Sequence, residues 1–201
     1  MPETILQQNE LENLLSESWK ISVTFQRELE SLDLDFQVLV IENLANHNQV
    51  IAGIVKYLTE KKYWGVYVTV NMPAKILEEK FKKQKIDTNQ IVFLDGITIQ
   101  SGGHKEEREN FYYVDSPKEL TEVSVLTENI LKELNGKKFI LLDSASTLLV
   151  YNQHETVEKF VHSLISKARI HEANAIVLLA KEHKKSLAEY ISEFCDKIIE
   201  I

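Results

Sequence analysis

A three-layer α/β fold, with a largely parallel central sheet flanked by helices, is the architecture this chain predicts. Three observations carry that expectation. Short runs rich in Val, Ile and Leu recur along the chain, they are nearly continuous rather than alternating, and single stretches of helical spacing separate most of them. Continuous apolar strands belong to sheets covered on both faces. Single helices between strands imply βαβ crossovers and parallel pairing. The 201 residues suffice for one well-buried core.

The elements follow in order. Residues 3–17 place Ile5, Leu11, Leu14 and Leu15 in a partial helical stripe, read as an N-terminal helix that docks on the domain or on a partner. Trp19–Leu34 is ambiguous, because Ile21, Val23 and Phe25 alternate briefly like a strand. These first 34 residues are set apart as a helix and connecting segment, and 35–201 as the α/β domain. Strands are expected at Phe36–Ile41, Gly65–Val70, Ile91–Leu94, Lys138–Asp143, Ala175–Ala180 and Lys197–Ile201. Helices are expected at Gln49–Lys61, Ala74–Gln84, Pro117–Leu134, His154–His171 and Lys184–Phe194. Ser116, Pro117 and Glu119 have the order of an N-cap, a first-turn proline and a capping-box glutamate. The segment Ile97–Pro117, with paired glycines and mixed charge, reads as a long loop, functional or simply an insertion.

Composition excludes several classes of function. The net charge of −8 argues against a general duplex-DNA or anionic-membrane binder, since phosphate contacts need a basic face. One cysteine, Cys195, rules out an internal disulfide and fits a reducing cytoplasm, the expected location. No apolar stretch approaches the roughly 18 residues of a membrane span. The acidic, amide-rich start is unlike a signal peptide.

Phe36 to Leu58 runs from a buried strand through a short loop into a helix, the frame of a phosphate-binding unit. In such a unit the loop reads GxxxxGK[ST]. Glycines let the backbone approach the phosphates, Lys reaches the terminal phosphates and the hydroxyl holds Mg²⁺. Here Glu42, Asn43, Leu44, Ala45, Asn46, His47, Asn48 and Gln49 stand instead, without Gly, Lys, Ser or Thr.

Four segments in this order resemble the RecA-like ATPases of the KaiC and GvpD type, especially the archaeal members. They are the strand–loop–helix just described, WGVYVTVNMPAKIL (Trp64–Leu77), KFILLDSASTLLVY (Lys138–Tyr151), and AIVLLAKEH followed by ISEFCDKIIEI. The segment FYYVDSPKELTEVSVLTENIL is similar to a linker and helix of archaeal members. The resemblance covers roughly 36–201 and implies a RecA-like (P-loop NTPase-like) core. It maps the phosphate loop to Glu42–Gln49, Walker B to Asp143 and Ser144, and the paired carboxylates, one of them the water-activating base, to Asn71 and Met72. Neither Asn nor Met serves as a general base near neutral pH. Glu42 would set negative charge beside a polyanion, and at an effective dielectric of ~20 two charges ~4 Å apart repel by about 4 kcal/mol. What the resemblance implies is therefore a pseudo-ATPase, with no catalytic residues and no cofactor. It would act as an interaction or regulatory module through a protein partner or through self-association at a RecA-like interface. The alternatives are an ATPase or nucleotide sensor holding ATP and Mg²⁺ with Lys56, Lys105 or Arg108, and a recombinase-like accessory on single-stranded nucleic acid, which the net charge disfavours.

The remaining candidates read more plainly. Asp143 ends an apolar strand where open sheets place ligands, but capping the next turn with Ser144 and Ser146 is the commoner role. Asp95 precedes Gly96 in a turn dipeptide. His154, His162 and His171 are spaced too widely for a shared ion, and no zinc pattern is present. His47 is an anion-binding candidate weighed against a merely solvated loop histidine. Cys195 sits in apolar sequence without an activating base. Glu78–Lys85 reads as a solvated helix face around Phe81, and Trp19, Trp64, Tyr112 and Tyr113 as core, edge or partner aromatics.

Overall fold

The computed structural model describes residues 17–29, 32, 35–183 and 187–201. The helix expected over 3–17 lies, apart from residue 17, outside the described residues. Seven strands form one parallel sheet: β1 Gln37–Glu42, β2 Trp64–Thr69, β3 Ile91–Asp95, β4 Phe111–Tyr113, β5 Lys138–Asp143, β6 Ala173–Ala180 and β7 Lys197–Glu200. Their spatial order is β4-β3-β2-β5-β6-β1-β7. The helices are α1 (17–29), α2 His47–Glu60, α3 Ala74–Lys83, α4 Leu120–Glu133, α5 Ala145–Tyr151, α6 His154–Ile170 and α7 Glu189–Ser192. The expected three-layer, parallel α/β architecture is what the chain adopts.

The continuous apolar strands serve two cores at once. Alternate residues, such as Leu39, Ile41, Val66, Val68, Ile140, Leu142, Val177 and Leu179, face α4–α7. The residues between them, such as Val38, Val40, Tyr67, Phe93, Phe139, Leu141, Ile176 and Leu178, face α1–α3. Period-2 alternation sends neighbours to opposite faces, so a strand buried on both must be apolar throughout. The helices after β1 and β2 cover one face, and those after β5 and β6 cover the other. The sheet therefore changes winding direction around β2, β5, β6 and β1, and at such switch points α/β proteins form crevices at the carboxyl ends of strands.

Four local expectations are corrected. Residues 17–29 are helical and not strand-like. Ser18, Ser22, Phe25 and Leu29 are buried at helical spacing, and the apparent alternation of Ile21, Val23 and Phe25 spans too few residues to compete. α1 crosses α2 at Gly53, where an added Cβ would lie 2.6 Å from Ile21 Cγ2 and 2.9 Å from the Ser18 carbonyl. The stretch 97–117 is not all loop, because Phe111–Tyr113 pairs in parallel with Phe93–Asp95 as the edge strand. Ser116 does not cap a helix. Its Oγ accepts from the Lys118 amide in a turn, and α4 starts later, at Leu120. Finally, the Ser144–Tyr151 stretch, left without an element, forms α5, with Ser144 as its N-cap accepting from the Thr147 amide.

Gly65 lies within β2 beside Phe139 of β5. A Cβ there would sit 2.2 Å from the Phe139 carbonyl oxygen and 2.4 Å from its ring. Gly65→Ala is expected to destabilise the protein by about 2–3 kcal/mol, as overpacking against backbone does. Urea denaturation with an unchanged m-value checks this, and a variant as stable as the parent would refute the packing argument.

A buried charge cluster at the carboxyl ends of the strands

β1 ends in Glu42 and β5 in Asp143, with β6 between them, and both carboxylates are buried. His47, the first residue of α2, spans the gap. Its Nδ1 lies 2.7 Å from Glu42 Oε1 and its Nε2 lies 3.3 Å from Asp143 Oδ1. Asp143 also accepts from the Tyr67 hydroxyl at 2.6 Å and from the Asn71 amide at 2.5 Å. Asn71 accepts in turn from the Thr147 hydroxyl, which is also in contact with Ser144 Oγ at 3.2 Å. The cluster thus joins the ends of β1, β2 and β5 to the starts of α2 and α5.

Local sequence explains how His47 arrives there. Asn43 Oδ1 accepts from the Ala45 amide and starts a one-turn 3₁₀ helix, Leu44–Asn46, and the His47 amide bonds to the Leu44 carbonyl. This tight turn swings the chain directly into α2. Asn43, Leu44, Ala45, Asn46 and Asn48 are exposed, and Gln49 is half-buried. Asn48 Oδ1 accepts from Lys80.

Burial alone would push the His47 imidazolium towards neutrality. Hydrogen bonds to Asp143 and Glu42, with the charges of both, outweigh that and raise its pKa to about 10. Burial pushes the Glu42 carboxyl above its usual range, the His47 contact draws it back in part, and Asp143 adds repulsion. The Tyr67 phenol is held well above its ordinary value by complete burial and by the Asp143 carboxylate. His47 is therefore a fixed cation with both ring nitrogens engaged.

The sequence candidates separate on this map. Glu42, His47, Asn71 and Asp143 come together. Met72 stays outside the cluster, its amide bonded to Thr69 Oγ1, its carbonyl accepting from that hydroxyl and its side chain packed against the α1–α3 core. Asp143 does not cap the next turn, because Ser144 does, and Ser146 Oγ instead accepts from the Ala180 amide across to β6. His47 is neither solvated nor free for an anion. Tyr67 and Thr147 were missed, since a strand Tyr between valines and a helix Thr give no signal of their partners. Asp95 is buried and accepts from the amides of Ala74, Ile97 and Thr98 and from the Thr98 hydroxyl, tying α3 to the 96–98 turn. Lys56 pairs with Glu60, Lys105 with Asp115, and Arg108 with Glu78 through two bonds while lying over Phe111. His154, His162 and His171 go separately to Glu158, Phe194 and Glu128. Burial pushes the Cys195 thiol up to about 12, unsuited to nucleophilic work near neutral pH. Among the described residues, no group of three or more His, Cys, Asp or Glu is arranged to hold a metal ion, and no helix is long and apolar enough to cross a membrane.

Comparison with known proteins bears on the fold. The family described as "Family of unknown function (DUF7090)" matches residues 54–201. The structure is similar to that of the KaiC-like protein PH0186 from the hyperthermophilic archaeon Pyrococcus horikoshii OT3. The TM-score is 0.59 at 14% identity, over 83% of this chain and 71% of that one. It is also similar to an uncharacterized protein, PH0321, from Pyrococcus horikoshii in complex with an unknown peptide. There the TM-score is 0.66 at 11% identity, over 90% of this chain and 83% of that one. No curated protein matches the sequence.

A group whose folded pKa is raised contributes stability that is complete below its unfolded pKa and is lost as pH climbs through the folded value. For His47 that window runs from its ordinary 6.5 to about 10. Between pH 7 and 10 the protein is expected to lose roughly 3–4 kcal/mol through this group, at about 1.4 kcal/mol per pKa unit. Urea denaturation across that range checks it. His47→Gln should flatten the profile, and an equal slope in both proteins would remove His47 as its source.

Proposed function

The chain belongs to the family of unknown function (DUF7090), and from its KaiC-like, RecA-like fold and the cluster above we propose that it is a noncatalytic domain. It serves as a protein-interaction or regulatory module and neither binds nor hydrolyses ATP. The observation that carries this reading is His47 held between Glu42 and Asp143. The cation at this position is internal, and both its donors are spent on carboxylates. Two carboxylates with one imidazolium leave the crevice without a surplus of positive charge, which opposes a polyphosphate. The loop 42–49 brings no Lys, Gly, Ser or Thr, so the phosphate-loop motif is degenerate.

The hydrolytic side fails on separate grounds. Asn71 and Met72 stand where the resemblance puts the paired carboxylates, and the Asn71 amide is committed to Asp143 and Thr147. Lys56, Lys105 and Arg108 are each engaged by a carboxylate elsewhere. The module is placed in the cytoplasm with a protein as its partner, and a neighbour of the same fold described in complex with an unknown peptide supports the interaction role.

Titration calorimetry with ATP, ADP and GTP, each with Mg²⁺, is expected to show no binding at micromolar concentrations. Saturable nucleotide heats, or turnover that disappears in Asp143→Ala, would sink the reading and restore the nucleotide-sensor alternative.

A further inference from the structure

Two dipeptides of this chain carry the same latent chemistry. Asn135-Gly136 lies between α4 and β5, and Asp95-Gly96 ends β3. In each, the covalent chain places the glycine amide nitrogen to close a five-membered ring on the side-chain Cγ of the residue before it. Glycine favours closure, because no Cβ crowds the approach and its backbone turns freely. Asn135 is the one asparagine of the chain followed by glycine, and Asp95 the one aspartate.

The fold treats the two oppositely. Asp95 is 1% exposed, and its carboxylate oxygens accept from the Ala74, Ile97 and Thr98 amides and from the Thr98 hydroxyl. The Gly96 amide donates to the Thr69 carbonyl at 2.9 Å. Ring closure there would break that whole set of bonds. None of these restraints acts at the other dipeptide. Asn135, Gly136 and Lys137 are exposed. Among the described residues, the Asn135 side chain and the Gly136 amide have no hydrogen-bond partner. Gly136 has a φ of 80°, and a Cβ built on it would meet nothing within 4 Å. Anchors stand on either side, since the Leu134 amide bonds to the Ile130 carbonyl and the Lys137 carbonyl accepts from the Trp64 amide. The free span is the reactive dipeptide itself.

We propose that Asn135 is a site of spontaneous covalent modification, deamidating through a succinimide to isoaspartate and aspartate. Hydroxide takes the Gly136 amide proton, and the nitrogen bonds to Asn135 Cγ. The Cγ–Nδ2 bond breaks, and ammonia leaves with a proton from solvent. Water then opens the ring. Addition at the main-chain carbonyl of residue 135 leaves the peptide link through Cγ, an isoaspartate, and addition at Cγ leaves aspartate. A water is consumed and an ammonia released, with nothing oxidised or reduced. Either product adds a negative charge in a run that holds Lys132, Lys137 and Lys138. Isoaspartate also adds a methylene to the main chain just ahead of the Lys137 carbonyl, which ties the start of β2 to β5.

The test incubates the full chain in mildly alkaline buffer, native and in guanidinium chloride, and follows its tryptic peptides by mass spectrometry. In the native chain the Glu133–Lys137 peptide is expected to gain the deamidated mass, with isoaspartate exceeding aspartate. Its rate should stay within about tenfold of that in the unfolded chain, because this loop reacts without any opening of the fold. Asp95 should isomerise only in the unfolded chain. Gly136→Ala should slow the reaction by about tenfold or more, and Asn135→Ser should abolish it, with circular dichroism confirming that both variants fold. Native protection of Asn135 beyond about tenfold, an earlier reaction at another asparagine, or equal isomerisation at Asp95 in the native chain would overturn the proposal.

Discussion

Glu42 and Asp143 end two strands separated by a third, so their backbones stand two strand spacings, about 10 Å, apart. Two buried carboxylates at that separation are tolerable only with a cation between them, since an uncompensated buried charge costs several kcal/mol. His47 meets the requirement because its ring carries a donor on each side and the one-turn Leu44–Asn46 helix delivers it to the gap. The start of α2, the Asn71 turn and the start of α5 are all arranged around that bridge. Its strength comes from hydrogen bonds on both ring nitrogens in a site where burial alone would favour a neutral ring.

The consequence is a crevice in which most polar groups satisfy one another, with Glu42 Oε2 buried and left without a partner. Sheets of this topology gather ligands at the carboxyl ends of their strands because the helices diverge there and leave space and unpaired backbone groups. Here side chains of the protein itself fill that role, with a tyrosine, two carboxylates, an imidazolium, an amide and two hydroxyls in one connected network. With both His47 nitrogens engaged and the free acceptor on Glu42 an anionic oxygen, the network has little to offer an anionic ligand.

Much of the architecture is legible in the residues, because burial on both faces forces strands such as Val38–Ile41 and Phe139–Leu142 to be apolar throughout. Five of the seven strands show this pattern; β7, an edge strand reading KIIE, buries only Ile199. The other edge strand, β4, has three residues, and its burial is shared with a half-exposed tyrosine pair, so it hides within a loop. α1 was obscured for a related reason, since Ile21, Val23 and Phe25 alternate by chance over a span too short to distinguish the two periods. Around the site, the departure of Glu42–Gln49 from a phosphate loop is visible directly. What His47 does there is not, because its role depends on two carboxylates, one five residues before it and one 96 residues after it.

Sequence alone determined the class of fold, most of the run of strands and helices, and the residue types at the carboxyl end of the sheet, since these follow from local periodicity and from chemistry carried by single side chains. Tertiary structure alone decided which of those side chains meet. Strand order brings β1, β5 and β2 to one crevice although they are far apart in the chain, and only that order turns Glu42, His47, Asn71 and Asp143 into one network. Pairing in space depends on the sum of many weak packing choices, and no local pattern records that sum.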